Sequence, residues 1–80
     1  MKATQQEVGV ELREGRPVCL TWGNRNYPVS LILDSWRYGG RWWLGETPRN
    51  CFLVQCGGLT AELHQETNPF GRWFIARIQD

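Results

Sequence analysis

The sequence predicts an all-β domain, a single small antiparallel meander of six or seven strands that curls into an SH3-like or partly open barrel. Three observations predict it. Apolar residues recur at every second position almost throughout, as where Val8, Val10 and Leu12 alternate with Glu7, Gly9, Glu11 and Arg13; this is the period of a half-buried strand. Glycine-containing doublets stand at Gly23-Asn24, Gly39-Gly40 and Gly57-Gly58, and two-residue hairpin turns demand such residues because they place central residues at positive φ. No stretch carries a helical period. So many twisted strands in 80 residues must close on themselves or stack as two sheets to cover their apolar faces.

Residues 1–7, MKATQQE, are polar and read as a short flexible lead, leaving residues 8–80 as the one domain. Strand Val8–Leu12 is followed by the turn REGR and the strand PVCLTW. Across Gly23-Asn24, Leu20 faces Tyr27 and Val18 faces Val29 on one apolar face, with Trp22 opposite Arg25 at the turn. Pro28 then falls opposite Cys19 at a non-bonded pair, where its missing N–H takes nothing from the ladder. The long run RNYPVSLILDSWRY leads to Gly39-Gly40, which predicts a third tight hairpin pairing Tyr38 with Arg41, Arg37 with Trp42 and Trp36 with Trp43. After a turn at Thr47-Pro48 come NCFLVQC and, across Gly57-Gly58, LTAELHQE. That hairpin sets Cys56–Leu59, Val54–Ala61 and Phe52–Leu63 on one face, and Leu53–Glu62 and Cys51–His64 on the other. A one-residue slip would invert every side chain, so the match of apolar with apolar fixes the register. NPFG leads into the last strand, RWFIARIQ.

The expected core is Val18, Leu20, Tyr27, Val29, Leu31, Phe52, Val54 and Leu63, with either the Trp36–Trp43 pair or its alternates. Trp42 and Trp43 are adjacent, so in a strand they cannot share a face; Arg37, Arg41 and Trp42 are left as an exposed contact surface.

A chain of this length buries only roughly 60% of the surface its unfolded form exposes. The five Trp, three Phe and two Tyr meet that shortage, since each buried ring removes on the order of 150–250 Å² from water. Nine Lys+Arg against eight Asp+Glu leave a net charge of +1, less basic than a dedicated nucleic-acid binder. All the basic residues except Lys2 are arginine, the residue suited to stacking, carboxylate pairing and phosphate contact. No apolar run is long enough to span a membrane and no charged-then-apolar leader opens the chain, so no membrane partner is expected. Cys19, Cys51 and Cys56 are odd in number and lack CxxC spacing, which predicts free thiols and a reducing cytoplasm.

Catalytic chemistry finds little to build on. Cys51 and His64 face each other, and a Cys–His couple can make a thiolate, but a chance cross-strand neighbourhood on an open surface outweighs that reading. Cys51 and Cys56 point to opposite faces, which excludes joint chelation and predicts no metal site. The glycine doublets serve turns and open no helix, so they cradle no phosphate. The expectation is a protein without cofactor that is not an enzyme.

The run GRPVCLTWGNRNYPVSLILDSWRYGGRWWLGETPRNCFLV, closing with GRWFIARIQD, resembles a small bacterial module of uncharacterised role. That module occurs as a short stand-alone protein and as the C-terminal segment of Y-family-like polymerase homologues of the ImuB type, which act in translesion synthesis and induced mutagenesis. The resemblance covers residues 8–80, and its most specific parts are Trp36-Arg37, Arg41-Trp42-Trp43 and Trp73 with Arg77. It marks Tyr27, Val29, Trp36, Arg37, Trp42, Trp43, Trp73 and Arg77 as characteristic positions, none of them catalytic. Where the module often has an aromatic in the fifth strand, this chain has Cys51 before Phe52. The resemblance implies an accessory role near DNA repair or replication, without the metal-binding carboxylates of the larger homologues.

The residues support three functional readings. The first is a protein–protein adaptor docking on a repair or replication protein such as a polymerase, clamp or recombinase, using exposed Trp and Arg and free sheet edges. The second is a single-stranded DNA-binding module, with Trp42 or Trp22 stacking on bases and Arg25, Arg37, Arg41 and Arg49 lining the phosphate path. The third is a homodimeric structural domain whose outer aromatics bury against a second copy.

Overall fold

A computed structural model describes the backbone of residues 2–40, 42–45, 48–67 and 71–79, and the side chains of all of these except 2–5 and 42. The fold is all-β. Six strands, β1 (Lys2–Arg13), β2 (Arg16–Trp22), β3 (Arg25–Tyr38), β4 (Arg49–Cys56), β5 (Leu59–Glu66) and β6 (Trp73–Gln79), run antiparallel in sequence order. They close into a barrel, with β6 returning to β1.

Closure depends on two long strands that each serve two neighbours. Residues 2–8 of β1 pair with β6 and residues 9–13 with β2. Residues 25–28 of β3 pair with β2, and residues 29–38 pair with β4. The changeover in β3 falls directly after Pro28, where pairing passes from β2 to β4. Register shifts at Ser30 and Leu33 then place an extra residue on β3 at each point, and such bulges bend a strand and sharpen its twist.

Two expected hairpins form in the expected register. Leu20 faces Tyr27, Cys19 faces Pro28 and Trp22 faces Arg25; Phe52 faces Leu63, Val54 faces Ala61 and Cys51 faces His64. Gly57 is required at its turn twice over. Its φ is 54°, and a Cβ there would stand 2.6 Å from Tyr27 Cδ1.

The third hairpin does not form. β3 continues to Tyr38 and pairs directly with β4, setting Trp36 against Cys51, Arg37 against Asn50 and Tyr38 against Arg49. Beyond Tyr38, Trp42–Leu44 form a 3-10 turn, so the described part of RWWLGE is not a strand. The physical reason is the core. Pairing β3 with β4 aligns eight residue pairs, among them Val29–Cys56 and Ile32–Val54, and closes the barrel, whereas a Trp36–Trp43 ribbon offers a short ladder ending near a proline. Trp36 and Trp43 are accordingly 40% and 64% exposed, not core.

The core is built from Val8, Leu20, Val54, Cys56, Ala61, Leu63, Trp73 and Ile75, with Phe52, Tyr27, Val29 and Ile32 packed around it. Leu20, Val54 and Leu63 stand where expected, and Val18 is half-buried. Leu31 does not: the bulge at Ser30 turns it to the side of Gln55, and it is 52% exposed. Val18 and Val29 are not paired, because the β2–β3 ladder stops at Cys19–Pro28. The polar lead is also part of a strand, since β1 starts at Lys2 and pairs with β6. Main-chain pairing makes that strand, so its side chains carry no apolar signal.

Candidate interaction surface

The changeover in β3 leaves a consequence on the surface. Residues 29–38 have β4 on one side and, among the described residues, no strand on the other. The N–H and C=O groups of a free edge can pair with another chain. Around this edge stand Leu31, Leu33, Trp36 and Tyr38, all exposed, and the connection adds Trp43 and Leu44. Together with Leu12 these are the exposed large apolar residues of the described chain, and only Leu12 lies outside residues 31–44. Scattered apolar residues on a surface need no explanation, but a cluster does. One stretch of the edge is already capped, since the amide of Ser35 donates to Asp34 Oδ1 at 2.8 Å.

The sequence-predicted site residues fall into two separated groups. Trp22 and Arg25 flank the β2–β3 turn. Arg25 is exposed, but Trp22 is half-buried, packs on the core and has its ring 6.3 Å from that of Tyr27, so most of its face serves the barrel. Arg37 and Arg49 lie near the opposite end of β3. Eleven strand residues lie between Arg25 and Arg37, roughly 40 Å along the extended chain. Arg37 is exposed; Arg49 is half-buried, with Nη1 3.4 Å from His64 Nδ1. Arg41 and the side chain of Trp42 lie outside the described residues. Sequence reasoning missed Leu31, Leu33, Trp36 and Tyr38 as a surface. The available signal was the run SLILDSWRY, which has more apolar residues than one strand face can bury.

A polar cluster sits on the outer face of the same sheet. The rows of the registers run Trp36–Cys51–His64–Phe74–Glu7 across five strands. His64 Nε2 lies 2.6 Å from Glu62 Oε2, so the ring is held between that carboxylate and Arg49. Cys51 was expected on an open surface; it is fully buried, flanked in its row by the large Trp36 and His64 side chains. Burial pushes its thiol up from the ordinary range, with Glu62 adding to the effect and the Tyr38 backbone and Arg49 opposing it. The thiol lies 3.9 Å from the Arg49 carbonyl oxygen and donates to it. This arrangement keeps sulfur protonated at neutral pH, the opposite of what activates a nucleophile.

Among the described residues no group of three or more His, Cys, Asp and Glu is placed to hold a metal ion, and no helix is long and apolar enough to cross a membrane. Cys19, Cys51 and Cys56 are free thiols. No family model, curated protein or solved structure matches the chain.

Proposed function

We propose that this barrel is a non-catalytic protein–protein adaptor that engages its partner along the free edge of β3. The observation that carries the reading is the concentration of exposed Leu31, Leu33, Trp36 and Tyr38 on a strand that pairs with β4 on one side and, among the described residues, with no strand on the other. Aromatic anchors with arginine beside them are the residue types that dominate binding energy at interfaces. Their placement on a strand with open main-chain groups favours a protein, which can add its own backbone. Arg25 stands far from Arg37 and Arg49, and Arg49 is engaged with His64, an arrangement that disfavours a continuous phosphate path. The resemblance to the ImuB-type module favours a partner among cytoplasmic DNA repair or translesion-synthesis proteins.

The test is affinity capture from extract of the source cell, with nuclease treatment, using the parent chain and a Trp36→Ala/Tyr38→Ala double variant. A repair or replication protein retained after nuclease and lost with the double variant is the expected result. Capture that depends on DNA, or single-strand binding that weakens steeply with salt, favours the DNA-binding reading and overturns this one. A concentration-dependent doubling of mass with no captured partner favours the homodimer.

A further inference from the structure

The β2–β3 ladder stops at Cys19–Pro28, and beyond it the two strands part. There β2 pairs only with β1, through Pro17 and Arg16, and β3 pairs only with β4. The space between these two free edges is a groove of about 420 Å³, within the size range of ligand clefts. Buried Pro17 and half-buried Val18, Val29 and Ile32 line it, and exposed Arg13 and Arg16 stand at its rim.

Those arginines are unusual neighbours. They face each other directly across the β1–β2 turn, where like charges oppose strand pairing. Among the described residues neither belongs to an ion pair. Exposed Glu14 lies between them in the turn and lowers the net charge of the rim to one positive charge. Two facing guanidinium groups without partners, beside a cleft of mixed polar and apolar lining whose apolar walls include Pro17, Val18, Val29 and Ile32, match a ligand that brings a carboxylate.

We propose that the groove takes an extended peptide segment of a partner protein, added as a strand to β3 at residues 29–33. Apolar side chains of the segment pack over Pro17, Val18 and Ile32, and an acidic side chain seats between Arg13 and Arg16. The addition ends before Ser35, whose amide Asp34 already caps. A nucleic acid could satisfy the arginines but offers no N–H and C=O ladder to two open strand edges, which favours the peptide. This inference rests on the adaptor reading and names the chemistry of the partner.

The experiment selects a displayed library of random peptides on the full chain, then measures synthesised winners by fluorescence anisotropy. Winners are expected to alternate β-branched or aromatic residues with at least one Asp or Glu. An Arg13→Glu/Arg16→Glu variant, shown folded by circular dichroism, should bind them about tenfold or more weakly, the scale of a lost charge-assisted hydrogen bond. Exchanging the acidic residue of the peptide for Lys should restore binding to that variant. Methylating alternate peptide amides should abolish binding to the parent. Winners that are basic, or that ignore the arginine reversal, overturn the proposal. Winners sensitive to Trp36→Ala but not to the arginines leave the adaptor reading intact and exclude this groove. An empty selection, with Trp36- and Tyr38-dependent capture still observed from extract, does the same.

Discussion

Replacing Trp73 and Trp43 separately by alanine should give opposite outcomes, and the contrast tests the barrel itself. Trp73 is 6% exposed, with its ring 5.7 Å from that of Phe52. Burying a ring of this size removes roughly 150–250 Å² from water, which at about 25 cal/mol per Å² is about 4–6 kcal/mol. Core Trp-to-Ala changes cost about 3–5 kcal/mol. At roughly 0.05–0.15 kcal/mol per residue a domain of this length is stable by roughly 4–12 kcal/mol, so Trp73→Ala removes a large share or all of it. Trp43 is 64% exposed, so about a third of its ring is at stake, about 1–2 kcal/mol. Urea titrations followed by far-ultraviolet circular dichroism measure both without depending on tryptophan fluorescence. If Trp43→Ala unfolds the domain as readily as Trp73→Ala, then Trp43 is a core ring. Direct pairing of β3 with β4 is then wrong, and the tight hairpin at Gly39-Gly40 exists after all.

Three further outcomes are open to measurement. Gly57→Ala should cost about 1–2 kcal/mol for a left-handed residue, plus about 1–3 kcal/mol for displacing Tyr27, while Gly58→Ala, with open space around it, incurs only the first; equal midpoints in urea would remove Tyr27 from this turn. Glu14 holds a φ of 54°, so Glu14→Gly should raise stability by about 1 kcal/mol, unless the carboxylate has a role that denaturation would reveal as a loss. Burial raises the Cys51 thiol above the ordinary value of 9.0, and burial with the nearby Cys19 raises that of Cys56. The folded state therefore holds these protons at pH values where the unfolded state has released them. Their contribution is fully present below pH 9.0 and is lost as pH rises toward the native values, at up to about 1.4 kcal/mol per pH unit for each thiol. A Cys51→Ala/Cys56→Ala variant should flatten that alkaline limb, and an unchanged limb would place its origin elsewhere.

Much of this fold was legible because hairpins with two-residue turns carry their register in the sequence. Gly57-Gly58 put Phe52 opposite Leu63, and Gly23-Asn24 put Leu20 opposite Tyr27; each is a local event that alternation alone determines. Gly39-Gly40 misled because a glycine doublet permits a tight turn without requiring one. The choice between pairing β3 with RWWLGE and pairing it with NCFLVQC was made by the closing of the barrel, a non-local term. Leu31 was misplaced for a related reason, since one extra residue at Ser30 reverses the parity of the strand beyond it, and no alternation pattern announces it. The same bulge contributed to the candidate site, because it helps turn leucines outward that a regular strand would have buried.

The free edge of β3 joins these errors to the functional argument. Edge strands are usually protected by charge, proline, bulges or brevity, and β3 shows such devices unevenly. Pro28 stands where the β2 ladder ends, and Asp34 caps the amide of Ser35. Between them, residues 29–33 carry no charged side chain and expose two leucines. An edge open to indiscriminate pairing would aggregate, whereas this opening is short, bordered by Pro28 and Asp34, and overlooked by Arg13 and Arg16. Those boundaries limit both the length and the charge of any strand that can be added. On the adaptor reading proposed above, exposed apolar side chains held beside one short open window of β3 serve a selective partner rather than marking incomplete packing.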